Sequence, residues 1–252
     1  MAKYVMIFIV STVLMHAQTM IADYIVEFGI VGQVGKVHTQ YTDNKKSYKI
    51  DTNLSAVGML AKTVMNHLKE RHICKGIISK KGRRIATSYE MRKSFGKFKT
   101  RTHYHVNHQT KKVIKSYKRW EKTKNQKYKK TLEYQYTLGY YATDDMVSLF
   151  LNLGKHIKNK NEAKNYQFKA VGADKKNGRV DIKIPTQKES KEMVPLLGNL
   201  KNGEWFMNLV MHRQLYNSKK GELMVRMGKD STIEKAVLKD LLFFGDVRII
   251  RQ

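Results

Sequence analysis

The stretch Phe98-Lys99-Thr100-Arg101-Thr102-His103-Tyr104-His105-Val106 decides how this chain is read. Side chains alternate across a β-strand, so residues two apart share a face. One face then carries Lys97, Lys99, Arg101, His103 and His105, and the other Phe98, Thr100, Thr102, Tyr104 and Val106. A cationic side backs onto an apolar one, which is the pattern of a half-buried strand. The same period recurs in Tyr24–Ile30, Tyr48–Leu54, Leu132–Tyr140, Tyr166–Ala170, Val180–Ile184, Trp205–Met211, Leu223–Met227 and Val247–Ile249. Between these runs fall Asp43-Asn44, Lys81-Gly82, Asn107-His108, Asn177-Gly178, Asn202-Gly203 and Lys220-Gly221, pairs suited to tight antiparallel connections. Strands joined by short turns predict a mainly β fold, a curved antiparallel sheet or partly closed β-barrel with one or two covering or plugging helices.

Two segments carry the helical period instead. In Ser55–Arg71 the residues Val57, Leu60, Ala61, Val64, Met65 and Leu68 form one apolar stripe, which predicts a helix able to cover a sheet edge. Asp144–Ile157 is apolar nearly all round through Met146, Val147, Leu149, Phe150, Leu151 and Leu153, which predicts a buried helix. Thr143 is its expected N-cap, and Asp144 and Asp145 sit at the positive end of the dipole. Thr186–Asn202 is polar and reads as a loop with a short helical turn. The aromatics of Leu132–Tyr141 alternate like core residues, which favours packing over a base-stacking platform.

The amino terminus reads as an address. Lys3 precedes an uncharged apolar run, Val5–Met15, that is short against the ~20 residues a membrane-spanning helix needs. This is the form of a secretory signal, predicted over residues 1–22 with cleavage after Ala17 or Ala22. Met15 and Met20 at the −3 positions depart from the small-x-small rule, and a buried first strand or an uncleaved anchor is the alternative. Residues 23–252 then form a single β-rich domain, destined for the periplasm. One cysteine, Cys74, excludes an internal disulfide framework and any four-cysteine metal site. It reads as a small buried hydrophobe rather than a nucleophile.

Charge dominates the composition, at +28 net from 49 Lys+Arg and 21 Asp+Glu in 252 residues. Between Arg92 and Lys130 fifteen basic residues face one acid, Glu121. Lys97, Lys99, Arg101, Lys111, Lys112, Lys115, Lys118 and Arg119 are the candidate residues for binding an anionic surface. A merely solvated face is the alternative. Lysines outnumber arginines 38 to 11, which favours diffuse attraction to a membrane over base-edge reading. Nucleic acid is the second partner class.

The run Tyr24-Ile25-Val26-Glu27-Phe28-Gly29-Ile30-Val31-Gly32 resembles the first strand of the exported bacterial family called domain of unknown function 3108. Asp145-Met146-Val147-Ser148-Leu149-Phe150 is similar to that family's central helix, and Glu222–Asp230 with Phe244-Gly245-Asp246-Val247 to its closing strands. The segment after Asp230 lacks the proline often found there, and the middle is unusually rich in lysine. The resemblance implies an exported, mainly β protein of the cell envelope and carries over no catalytic residue.

Enzyme signatures are scarce. The chain has no G-x-S-x-G, H-E-x-x-H, Walker A or G-x-G-x-x-G sequence, and nothing in it calls for a cofactor. His103, His105 and His108 are a weak candidate zinc set for a hydrolase, opposed by the surrounding lysines. The expected function is therefore non-enzymatic: an envelope protein holding a lipid-like or apolar ligand in its curved sheet and docking on anionic membrane.

Overall fold

The computed structural model describes residues 18–29, 31–64, 66–173, 176–210, 222–241 and 245–252. The chain first runs as an antiparallel meander: β1 (Gln18–Phe28), β2 (Gly32–Asp43), β3 (Ser47–Ala56), β4 (Lys69–Ile78), β5 (Arg84–Phe95), β6 (Phe98–Asn107), β7 (Lys112–Lys122) and β8 (Tyr128–Thr137). A short helix, α1 (Met59–Val64), lies in the connection from β3 to β4. The chain then crosses back through β9 (Asp144–Asp145) into α2 (Met146–His156). A second meander follows: β10 (Lys164–Val171), β11 (Arg179–Ile184), β12 (Trp205–Val210), β13 (Glu222–Met227), β14 (Ile233–Leu241) and β15 (Gly245–Arg251), with α3 (Gln187–Leu197) between β11 and β12. β15 pairs with β1, so both meanders join in one curved, unclosed sheet whose ends are β8 and β9. The mainly β expectation holds. Residues 1–17 of the predicted export segment 1–22 lie outside the described residues, as do Ile30, Met65, Met211, Phe244 and the Lys220-Gly221 turn.

One helix fills the curve. Leu149, Leu153 and Ile157 of α2 and its C-cap pack on Val180, Ile182, Trp205, Met207 and Val225 of the second meander. From the opposite side Leu151 packs with Tyr41, Ile50, Cys74, Tyr89 and Tyr104 of the first. This two-sided burial is what an all-round apolar helix demands. Its N-cap is Asp145, whose Oδ1 accepts from the Val147 N–H at 2.8 Å and the Ser148 N–H at 2.9 Å. The expected cap, Thr143, is committed elsewhere: its carbonyl accepts from the Ala86 N–H of β5 at 2.8 Å. Asp144 and Asp145 belong to a two-residue parallel bridge with Ala170 and Val171 of β10 rather than to the helix. The segment entering α2 is thus held between β5 and β10, and β6–β8 extend beyond that junction.

Three further expectations are corrected. The predicted helix over Ser55–Arg71 shrinks to α1, because Ser55 pairs with Lys69, Leu54 with Glu70 and Asn53 with Arg71 in the β3–β4 ladder. Positive φ at Gly58 (80°), Asn66 (51°) and His67 (56°) bounds what helix remains. In Thr186–Asn202 a full helix forms, capped reciprocally by Thr186 and Glu189. It covers the outer face of the second meander, where Met193 and Leu197 pack on Phe206 and Val237. Finally, β8 is exposed along its whole length, with Leu132 at 45% and Tyr136 at 44%. Its alternation is real, but the strand itself lies in the open; residues past its end, Leu138, Tyr140 and Tyr141, are the ones that reach the core.

Replacing Leu153, fully buried in the core, by Ala is expected to lower the unfolding free energy by ~2–5 kcal/mol. Because α2 serves both clusters, urea unfolding followed by far-UV and near-UV circular dichroism should still give one coincident transition. Two separated transitions would contradict a shared core.

Candidate functional site

Cross-strand register organises both faces of the first meander. On the face toward α2, Met20, Tyr41, Ile50, Cys74, Tyr89, Tyr104, Lys115 and Tyr136 form one unbroken row from β1 to β8. The neighbouring row begins Ala22, Thr39, Thr52, His72 and Met91. Small and short side chains in this second row leave a gap beneath α2. The result is a cavity of about 420 Å³ with a mainly apolar wall, lined by Ala22, Val37, Ile50, Met91, Phe150 and Ile233 among others.

Polar groups on this wall are few and mostly engaged with one another. The Thr39 and Thr52 hydroxyls are 3.0 Å apart. His72 Nδ1 lies 2.7 Å from the Tyr89 hydroxyl, and its Nε2 lies 3.0 Å from Glu70 Oε1. The His72 hydrogen bond holds the Glu70 carboxyl below its usual range, against the opposing effect of burial. Burial pushes the Tyr89 phenol far up, so it stays neutral. Cys74, expected as a small buried hydrophobe, is fully buried, and burial likewise pushes its thiol up.

The opposite, outer face carries the charge. Arg71, Arg92, Arg101 and Lys118 occupy one register across β4–β7. Beneath them Asp51 and Glu90 are buried carboxylates. Arg71 donates to Asp51 through Nε at 2.8 Å and Nη2 at 2.6 Å. Glu90 accepts from both Arg92 and Arg101. Hydrogen bonds from Arg71 hold the Asp51 carboxyl down at about 2, burial opposing them. For Glu90 burial works against ionisation, but Arg101 and Arg92 outweigh it and the pKa falls. Above this row a groove of about 820 Å³ opens, reaching Lys69, Lys99, Trp120 and Tyr128.

The anionic-surface candidates do not form one face. Lys99, Arg101 and Lys118 share the outer side, whereas Arg119 pairs with Thr100 and Lys115 with Tyr104 on the inner side. Lys97 sits in the β5–β6 turn, and Lys111 and Lys112 lie at the far hairpin. Alternation forces this split, since Lys118 and Arg119 are consecutive in a strand. The three histidines are not gathered either. His103 Nε2 meets the Ser88 hydroxyl at 2.9 Å, and His105 is exposed on the same strand. His108 Nδ1 lies 2.7 Å from the Tyr141 hydroxyl and its Nε2 2.8 Å from the Ala86 carbonyl oxygen, so it ties the crossing segment to β5. Among the described residues no group of three or more His, Cys, Asp or Glu could hold a metal ion.

Sequence reasoning missed Arg71 and Arg92 as partners of Arg101, because β4 and β5 were not read as its neighbours. The available signal was the alternation of Glu90 with Arg92, which places both on one face. Among the described residues no helix is long and apolar enough to cross a membrane. Comparisons with protein-family models, with curated proteins and with solved structures give no match.

The Asp51 network has a pH signature. A carboxyl held at about 2 when folded, against ~3.9 when unfolded, contributes stability above about pH 4 that is lost as pH falls toward 2. Urea unfolding measured from pH 7 to pH 2 should therefore show a decline in that window. Asp51→Asn should flatten this limb and also lower stability at pH 7, where Arg71 loses its carboxylate. An unchanged acid limb in the variant would refute the assignment.

Proposed function

We propose that this chain is an exported cell-envelope protein without a catalytic role, which holds an apolar, acyl-like ligand under α2 and rests on anionic membrane through its basic surface. The observation that carries this reading is the cavity between α2 and the inner face of β1–β5. Its volume of about 420 Å³ lies within the ~300–1,000 Å³ typical of small-molecule sites. Its polar groups pair among themselves, so an occupant gains chiefly from apolar burial, ~0.8 kcal/mol per methylene. The net charge of +28 supports attraction to an anionic surface. The likeness to domain of unknown function 3108 points to the same compartment.

The nucleic-acid alternative is weaker on one specific observation. Tyr117 and Tyr134 stack on each other at 4.9 Å between centroids, and Tyr134 on Tyr136 at 5.9 Å. Part of their ring surface is thus taken up by one another and is not offered to bases.

A displacement assay with a fluorescent fatty acid tests the cavity. Saturated fatty acids of increasing length should tighten roughly fourfold per methylene until the cavity is full, then level off. Ala22→Phe, which fills the space, should abolish displacement, while Phe150→Ala should shift the plateau to longer chains. Absence of any fatty-acid binding by the wild-type protein, with the fold intact, would overturn the reading.

Export makes a second prediction. β1 starts at Gln18, and Ala22 is buried within it opposite Thr39. Cleavage after Ala22 would remove five residues of that strand, Gln18–Ala22, whereas cleavage after Ala17 keeps all of its described residues. Intact-mass measurement of protein recovered from the periplasm is expected to show a chain starting at Gln18. A chain still carrying Met1 would count against export.

A further inference from the structure

We propose that the outer-face groove over β4–β6 is a binding site for molecules bearing two or more neighbouring phosphate groups, with Arg71, Arg92, Arg101, Lys69 and Lys99 as its cations. The inference rests on the anionic-partner half of the proposed function and narrows it to one groove and one chemistry.

Placement is the first argument. Three of the chain's 11 arginines fall at one register on three consecutive strands, although lysine dominates elsewhere. Adjacent strands lie ~4.8 Å apart, so the guanidinium groups form a close row. A second row, offset by two residues, sets Lys69 and Lys99 on either side of Ser94. The groove of about 820 Å³ lies along both rows.

Preorganisation is the second. Asp51 and Glu90 are buried beneath the arginines and fix the guanidinium orientation, while the Arg71, Arg92 and Arg101 side chains remain 43%, 52% and 47% exposed. A guanidinium has five N–H donors, so each retains several for a ligand. Its planar fork matches phosphate oxygens two at a time, which an ammonium does not.

Charge balance is the third. The five named cations face two carboxylates, Asp51 and Glu90, and Lys49 adds a further cation beside Asp51. Glu70 and Lys93, which offset each other at 3.5 Å, belong by alternation to the inner face of the same strands and do not enter this balance. Lys69 and Lys99 take part in none of the ion pairs among the described residues; Lys99 instead lies 3.9 Å over the Tyr128 ring. Clustered phosphates, with several negative charges in a small span, satisfy such a surplus better than a single carboxylate or phosphodiester. Trp120, opposite Lys99, and Tyr128 give the groove an apolar end against which a ring or glycerol moiety can pack.

The test uses the full mature chain and inositol hexakisphosphate as probe, followed by titration calorimetry at physiological ionic strength. Lys69→Gln/Lys99→Gln should weaken binding at least tenfold, whereas Lys111→Gln/Lys112→Gln, an equal loss of charge at the far hairpin, should change it less than twofold. Arg92→Lys/Arg101→Lys conserves charge and should also weaken binding tenfold, with thermal unfolding confirming a folded protein. Equal losses in the two lysine variants would overturn the groove as a site and leave only bulk charge. Vesicle co-sedimentation then separates the sources. Preference for phosphatidylinositol bisphosphate over phosphatidylglycerol at matched surface charge, abolished by the groove variants, assigns a lipid headgroup. Binding of the soluble probe without vesicle binding assigns a free polyphosphate and refutes membrane docking alone. Equal binding to both vesicle types, unaffected by the groove variants and not competed by the soluble probe, supports docking and overturns the phosphate site.

Discussion

The structure depends on the burial of α2 from two sides. A sheet of fifteen strands has two faces to cover and two edges to manage, and one layer of helix cannot cover it flat. Curling round α2 lets Leu149 and Leu153 complete one core while Leu151 completes the other. The β1–β15 seam is needed for this, because it makes the two meanders a single curved surface rather than two domains. The helix is fixed at its start by the Asp145 cap and along its length by Asn152. The Asn152 amide donates to the Arg84 carbonyl oxygen at 2.8 Å, and its Oδ1 accepts from the Arg84 N–H at 3.0 Å. Both anchors tie α2 to the point where the chain crosses from β8 back toward β10.

The same arrangement explains why the inner face changes character along one row. From Tyr41 to Tyr104 the row is covered by α2 and is buried. Two strands further out it ends in Lys115 and Tyr136, where Lys115 Nζ donates to the Tyr136 hydroxyl at 3.3 Å. Register is continuous, but cover is not. Lysines at Lys124, Lys127, Lys129 and Lys130 on and beside the terminal strand suit an edge that must resist pairing with other chains.

Much of this was legible in the sequence, and the boundary of legibility is physical. Strands with one dry and one wet face, such as β6 and β11, alternate plainly. α2 was readable because a helix buried on all sides must be apolar on all sides. β2, β5 and β7 were not read as strands, because small, polar or charged residues interrupt their inner faces: Gly35 and Thr39 in β2, Lys93 in β5, Lys115 and Arg119 in β7. One of those interruptions also shapes the interior, since Thr39 lines the cavity beneath α2. The Ser55–Arg71 stripe misled for another reason. A 3.6-residue period can arise where a strand, a turn of helix and another strand abut, and only Gly58 hinted at the break.

The outer groove was illegible for a third reason, since it is a property of register rather than of any local run. Arg71, Arg92 and Arg101 are 21 and 9 residues apart in sequence and become neighbours only when three strands align. The sequence reading took Arg101 only as one member of a dense basic segment, which alternation scatters over two faces and two turns. Clustering in space, with buried carboxylates beneath to hold geometry, separates a recognition surface from charge that keeps a protein soluble. By that criterion the proposed anion site falls on the sparse arginines of β4–β6 and not on the abundant lysines of β7 and β8.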